Sequence, residues 1–255
     1  VWHRNGKLKL EAPMIKGAQH GLTISWSESG NKTREDNFDH GNFHGLSKRF
    51  SEKGIVTSIK NYSKDRLDYP KTIRLMEQLI ERNQKLLGSS DEDLMESFNS
   101  FAHLLDQFGK PSRALVYHNK IITALSSDEN LTEFRWIALV NAYENRGQIL
   151  GKLHDVDKAL VSHQKALSLR LERLSPEHEL VAQSYANISY FYYRKLQYDK
   201  ALEFAEKSKA IFLKKGDLLR LAGYYNNTGH IYDDMGQPEK ALEFSKEALE
   251  FFIKE

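Results

Sequence analysis

The sequence predicts an α+β chain that is mainly α: a sheet of β-hairpin repeats over residues 1–66, then an α-α solenoid of paired helices from about Leu94 to the end. Three observations lead there. A 24-residue recurrence marks the start, a second recurrence of 40 to 45 residues marks the rest, and helix breakers stand between copies of the second.

In the first recurrence His20-Gly21-Leu22 returns as His44-Gly45-Leu46, and the same shift carries Trp2 to Trp26 to Phe50. Gly6, Gly30 and Gly54 follow it, as do Gly17 and Gly41. Each unit has an aromatic followed by a turn dipeptide at Asn5-Gly6, Ser29-Gly30 or Lys53-Gly54, where glycine supplies the positive φ of a tight hairpin. Leu8, Leu10 and Ala12, and later Val56, Ser58, Lys60 and Tyr62, fall on one side of a period-2 strand. With its aromatic-x-x-x-Gly turn and Gly-x-x-His-Gly corner, this quarter of the chain resembles MORN repeats, in particular the variant of bacterial antitoxin-like proteins. The third unit departs: Asp65, Asp68 and Tyr69 replace the Gly and His-Gly, so the sheet is expected to stop near Tyr62. Val1 opens in a unit whose preceding hairpin strand is missing.

A connecting helix from Pro70 to Leu87 is expected within residues 67–93, with Gly88 to Asp91 capping the next. Beyond it, Ala-Leu pairs stand at Ala114, Ala159, Ala201 and Ala241. Twelve residues before each comes a small residue (Ala102, Gly147, Ser189, Gly229), nine before a bulky one (Leu105, Leu150, Tyr192, Tyr232), and sixteen before an aromatic (Phe98, Tyr143, Tyr185, Tyr225). Small residues are needed where two helices cross closely and bulky ones where the next pair plugs the gap, so fixed offsets between the classes describe stacked helix pairs. These offsets over about 160 residues resemble tetratricopeptide repeats, and the long period is similar to the extended-helix form of kinesin light chains and many bacterial signalling proteins. The resemblance implies four repeats, at about 94–128, 132–174, 177–215 and 217–255, separated by Gly109 to Pro111, Ser127-Asp128, Ser175-Pro176 and Gly236 to Pro238. Phe251, Phe252 and Ile253 end the last helix without a polar cap, so they are expected to be covered by further repeats, a partner chain or a second copy.

Composition sets limits. The chain has 255 residues with a formal charge of +2, too near neutral to imply a nucleic-acid partner. Residues 1–66 are mildly basic, with twelve Lys and Arg against seven Asp and Glu. An anionic membrane facing Lys7, Lys9, Lys16, Lys48, Arg49, Lys53 and Lys60 is therefore admitted, though a solvated face is favoured. No apolar run of membrane-spanning length occurs. With no cysteine, disulfides and thiolate metal sites are excluded and the compartment stays open, a cytoplasmic one being favoured over a secreted or periplasmic one.

No catalytic, cofactor or metal constellation is expected. His40 and His44 are four apart in a Gly-rich corner with no helix to align them, while His20 and His44 recur with the repeat, as structural residues do. Glu177-His178-Glu179 lacks the second His of a zinc-peptidase motif, and phosphate-binding glycine loops are missing. The informative positions lie two residues before each small residue: Ser100, Asn145, Asn187 and Asn227. An Asn side chain offers both donor and acceptor to an extended main chain. The resemblance implies that the first helix of each pair lines a concave groove. The candidate peptide-binding residues are then Asn145, Asn187 and Asn227, flanked by Asn99, Asn141, Asn226, His103, Gln148, Tyr190, Arg194, His230 and Asp233. Lys152 and Arg194 are the only cations suitably placed, which argues against a carboxylate clamp. The expected role is a non-enzymatic scaffold or adaptor holding a protein or peptide partner; the alternatives are the sensory region of a larger bacterial signalling protein, a membrane-surface module, or an antitoxin role suggested by the MORN resemblance alone.

Overall fold

The structure, a computed structural model, describes residues 1–253, with side chains to Glu250. The expectation for Phe251, Phe252 and Ile253 concerns side chains outside the described residues. The fold class is the expected one, a strand-rich start followed by a run of helices. Two compact units divide the chain, residues 1–138 and 139–255.

In the first unit the strands are β1 (Leu10–Glu11), β2 (Met14–Ile15), β3 (Ala18–Gln19), β4 (Gly21–Trp26), β5 (Lys32–Asp39), β6 (Asn42–Phe50), β7 (Val56–Ser63) and β8 (Arg66–Leu67). They form an antiparallel sheet ordered β1-β4-β5-β6-β7-β8, with β2 and β3 as a separate hairpin. The 24-residue recurrence is structural. At the three glycine turns, Gly6, Gly30 and Gly54 have φ of 78°, 95° and 77°, and their N–H groups donate to His3, Ser27 and Ser51 carbonyls respectively. The register shifts at Ser25/Trp26 and again at Arg49/Phe50, one repeat later.

The sheet does not stop at Tyr62. At the opposite end of the hairpins, both central residues of Lys16-Gly17, His40-Gly41 and Lys64-Asp65 have positive φ. Asp65 takes this conformation without being glycine, as Asp does more readily than most residues. The turn therefore forms in the departing unit too, and β7 continues through it into β8. Nor does burial alternate strictly in β7, where Thr57, Ser58 and Asn61 are all buried.

Helix α1 (Tyr69–Leu86) explains why. Asp68 caps its start by accepting from the Lys71 N–H. It then lies along the free edge of β7: Asn61 N–H donates to Thr72 Oγ1 at 2.9 Å, Ile59 N–H points at Met76 Sδ, and Asn83 donates to the Val56 carbonyl at 3.0 Å. A bare strand edge is thus closed by side chains of a helix. Helices α2 (Glu92–Gln107), capped by Asp91, and α3 (Pro111–Leu125) complete the unit's core with Phe101, Leu105, Ile121 and Leu125. The basic residues of the sheet are not gathered on one face. Arg49 and Lys60 alternate with Lys48 across the pleat, and Lys53 pairs with Asp91 at 3.4 Å.

The division between units falls inside α4 (Glu133–Lys152). The second unit continues with α5 (Val156–Arg173), α6 (Glu179–Arg194), α7 (Tyr198–Lys215), α8 (Leu218–Asp234) and α9 (Pro238–Ile253). Its core includes Ala182, Phe212, Leu221, Tyr224 and Tyr225. Among the described residues no helix is long and apolar enough to cross a membrane.

Candidate functional site

The position of each candidate Asn follows from the small residue two places on. A β-carbon at Gly147 would lie 2.6 Å from the His163 ring on α5, and one at Gly229 would lie 3.3 Å from the Ala241 carbonyl on α9. Ser189 Oγ donates to the Ala201 carbonyl on α7 at 2.7 Å. These small residues therefore face their partner helices. Two residues back is a rotation of about 200°, so Asn145, Asn187 and Asn227 turn away from those partners. Asn145 and Asn187 are half-buried and Asn227 is exposed. Among the described residues none of the three amides makes a hydrogen bond within the chain, so they are not struts between neighbouring helices.

Two hollows flank this face. One is lined by Gln148, Asn187, Tyr190, Arg194 and the edge of His163. Arg194 is steadied by the Gly151 carbonyl at 3.4 Å and lies 5.9 Å from the Tyr190 ring centre. The other hollow, of about 170 Å³, has Ala205, Ser208 and Thr228 in its wall and Tyr190, Asn227 and His230 around it. Its origin is legible in the repeats. Four residues after the marker Ala stand His118 and His163 in the first two, but Ala205 in the third. The His163 ring stacks on Phe191 with 4.9 Å between centres; at the equivalent place Ala205 leaves space. Ala205, Ser208 and Thr228 are not among the candidates read from the sequence, although the change from His to Ala is visible there.

Of the other candidates, Asn141, Asn226 and Asp233 are exposed but line neither hollow. Asn99 and His103 lie exposed on α2 in the first unit, His103 hydrogen-bonded to Gln107 at 3.0 Å. The Tyr193 hydroxyl donates to Asp234 at 2.7 Å, and that bond, with partial burial, raises its pKa to about 12, so it acts as a neutral donor. Burial pushes the Tyr224 hydroxyl up as well, helped by its bond to Glu206. Burial lowers His163 to about 4, which leaves a neutral ring behind the first hollow.

A tetratricopeptide-repeat family profile matches residues 139–214 and again 187–254. This stretch is similar to tetratricopeptide repeats. Solved structures agree on the fold. BtubC (BKLC) from P. vanneervenii aligns with a TM-score of 0.59 at 18% identity, covering 72% of this chain and 73% of that one. A Podosopora anserina kinesin light chain with nearly identical TPR-like repeats aligns at 0.61 and 16% identity, covering 73% and 88%. Aspartyl phosphate phosphatase F from Bacillus subtilis aligns at 0.60 and 17% identity, covering 73% of this chain and 46% of that one. At these identities the likeness is one of fold, a tetratricopeptide-like solenoid following a strand-rich region. No curated protein matches the chain in sequence.

Proposed function

We propose that this chain is a non-enzymatic scaffold whose tetratricopeptide repeats hold a segment of a partner protein along α4, α6 and α8. The observation that carries the reading is the set of Asn145, Asn187 and Asn227 at one repeat position, with amides that bond to nothing in the chain among the described residues. Such amides can pair with the C=O and N–H of an extended segment without reading its side chains. The hollow beside Asn227 adds selectivity. A dry cavity of about 150 Å³ can take one benzene-sized group, so a space of about 170 Å³ suits one apolar side chain of the bound segment.

The test starts from a partner segment isolated by affinity capture and measured by fluorescence anisotropy. Losing two amide pairs at about 1 to 1.5 kcal/mol each predicts that Asn145→Ala with Asn187→Ala weakens binding roughly 30- to 160-fold with the helical circular dichroism retained. Unchanged affinity would remove the reading. Filling the hollow with Ala205→Leu is expected to weaken the same complex at least tenfold.

The fold likeness to Aspartyl phosphate phosphatase F, of which this chain spans less than half, favours a second reading as the regulatory region of a larger bacterial signalling protein. The full-length gene decides it: an output domain outside residues 1–255 supports this reading, and its absence removes it. We read the N-terminal hairpins as MORN-type repeats on the recurrence of their turns.

A further inference from the structure

The turn between β5 and β6 stands against the start of β4, and this corner brings together His20, Asp39 and His40. His40 Nδ1 lies 2.6 Å from Asp39 Oδ1, and His20 Nδ1 lies 3.4 Å from the same oxygen. One donor atom from each residue falls within 4.8 Å of the others, and the two imidazoles meet edge to face with centres 5.1 Å apart. We propose that this corner binds one divalent transition-metal ion, of the Zn²⁺ class, through His20, Asp39 and His40.

Geometry is the first support. An ion with bonds near 2.0 to 2.1 Å holds tetrahedral donors roughly 3.3 Å apart. His20 and Asp39 already stand at that separation, and His40 has to open by less than about 1 Å from its hydrogen bond. The backbone is tied in advance: Gly41 N–H donates to the Gln19 carbonyl at 2.7 Å, and His20 N–H to the Pro13 carbonyl at 3.0 Å.

The second support is the setting of His20 Nδ1, which is shielded from water and makes no aligned hydrogen bond, its near neighbour being Asp39 Oδ1 at 3.4 Å.

The third support is the 24-residue recurrence. The turn needs only two residues of positive φ, and Lys16 and Lys64 serve where His40 stands. Ile15 and Ser63 occupy the positions equivalent to Asp39, and His44 and Asp68 those equivalent to His20. The hairpins therefore fold without this set, which is complete at the middle corner alone. Two imidazoles with one carboxylate suit Zn²⁺, Co²⁺ or Ni²⁺ and not the oxygen-seeking Ca²⁺ or Mg²⁺. Because His40 is exposed, solvent has access to the remaining coordination positions.

The experiment uses the 255-residue chain, stripped with chelator, titrated with Zn²⁺ by calorimetry and with Co²⁺ by visible absorption at neutral pH. One equivalent is expected to bind. His40→Lys and Asp39→Ser, each installing the residue of another corner, should each lower affinity at least tenfold with the far-ultraviolet circular dichroism unchanged, while His44→Ala should change it less than twofold. No binding up to millimolar Zn²⁺ overturns the proposal. So does wild-type affinity in His40→Lys or in Asp39→Ser.

Discussion

Gly147 sits inside α4, where glycine costs about 1 kcal/mol relative to alanine. The compensation lies across the helix pair, because the His163 ring occupies the space a β-carbon would need. Gly147→Ala should therefore destabilise the protein by about 1 to 3 kcal/mol in urea unfolding despite the better helix former. Removing the ring should remove the clash, so Gly147→Ala with His163→Ala is expected to cost clearly less than the sum of the two single changes. The rule that small residues mark close crossings was readable from the offsets. Which atom each meets was not, since Gly147 meets a ring, Ser189 bonds a carbonyl and Gly229 approaches one.

Between elements, the strongest polar tie described in the second unit is Arg170 on α5. Its guanidinium, 4% exposed, takes the Glu144 carboxylate of α4 with two bonds of 2.7 Å and also donates to the Leu180 carbonyl and Ser184 Oγ of α6. Removing the carboxylate leaves a buried cation uncompensated, so Glu144→Ala is expected to cost about 3 to 5 kcal/mol in denaturant unfolding. In the sequence Arg170 stands where the other repeats place Leu125 and Phe212, a visible irregularity whose partner, Glu144 on the preceding helix, was not visible. The edge of β7 offers a parallel test. Thr72→Val keeps the shape but removes the acceptor of Asn61 N–H, so a loss of about 1 to 3 kcal/mol is expected, with faster exchange of the Asn61 amide by NMR.

Across the whole molecule, each unit buries one neutral histidine. Burial holds His118 and His163 at about 4 in the folded protein, against an ordinary 6.5 when unfolded. Above pH 6.5 both states leave the rings neutral and stability is unaffected. Between 6.5 and 4 the unfolded chain takes up protons that the folded one refuses, so stability falls as pH falls, by about 2 kcal/mol per ring at pH 5. Urea titrations at pH 7 and pH 5 should show this loss, and His163→Phe should remove about half of the difference. The order of elements and the glycine turns were determined by the sequence alone, because each rests on neighbours within a turn or on a period the chain repeats. Tertiary structure alone decided the rest: the extension of the sheet through Lys64-Asp65, the closure of its edge by Thr72 and Asn83, and the meeting of His20 with Asp39 and His40. Those depend on side chains from separate elements occupying or vacating one space, which periodicity along the chain does not encode.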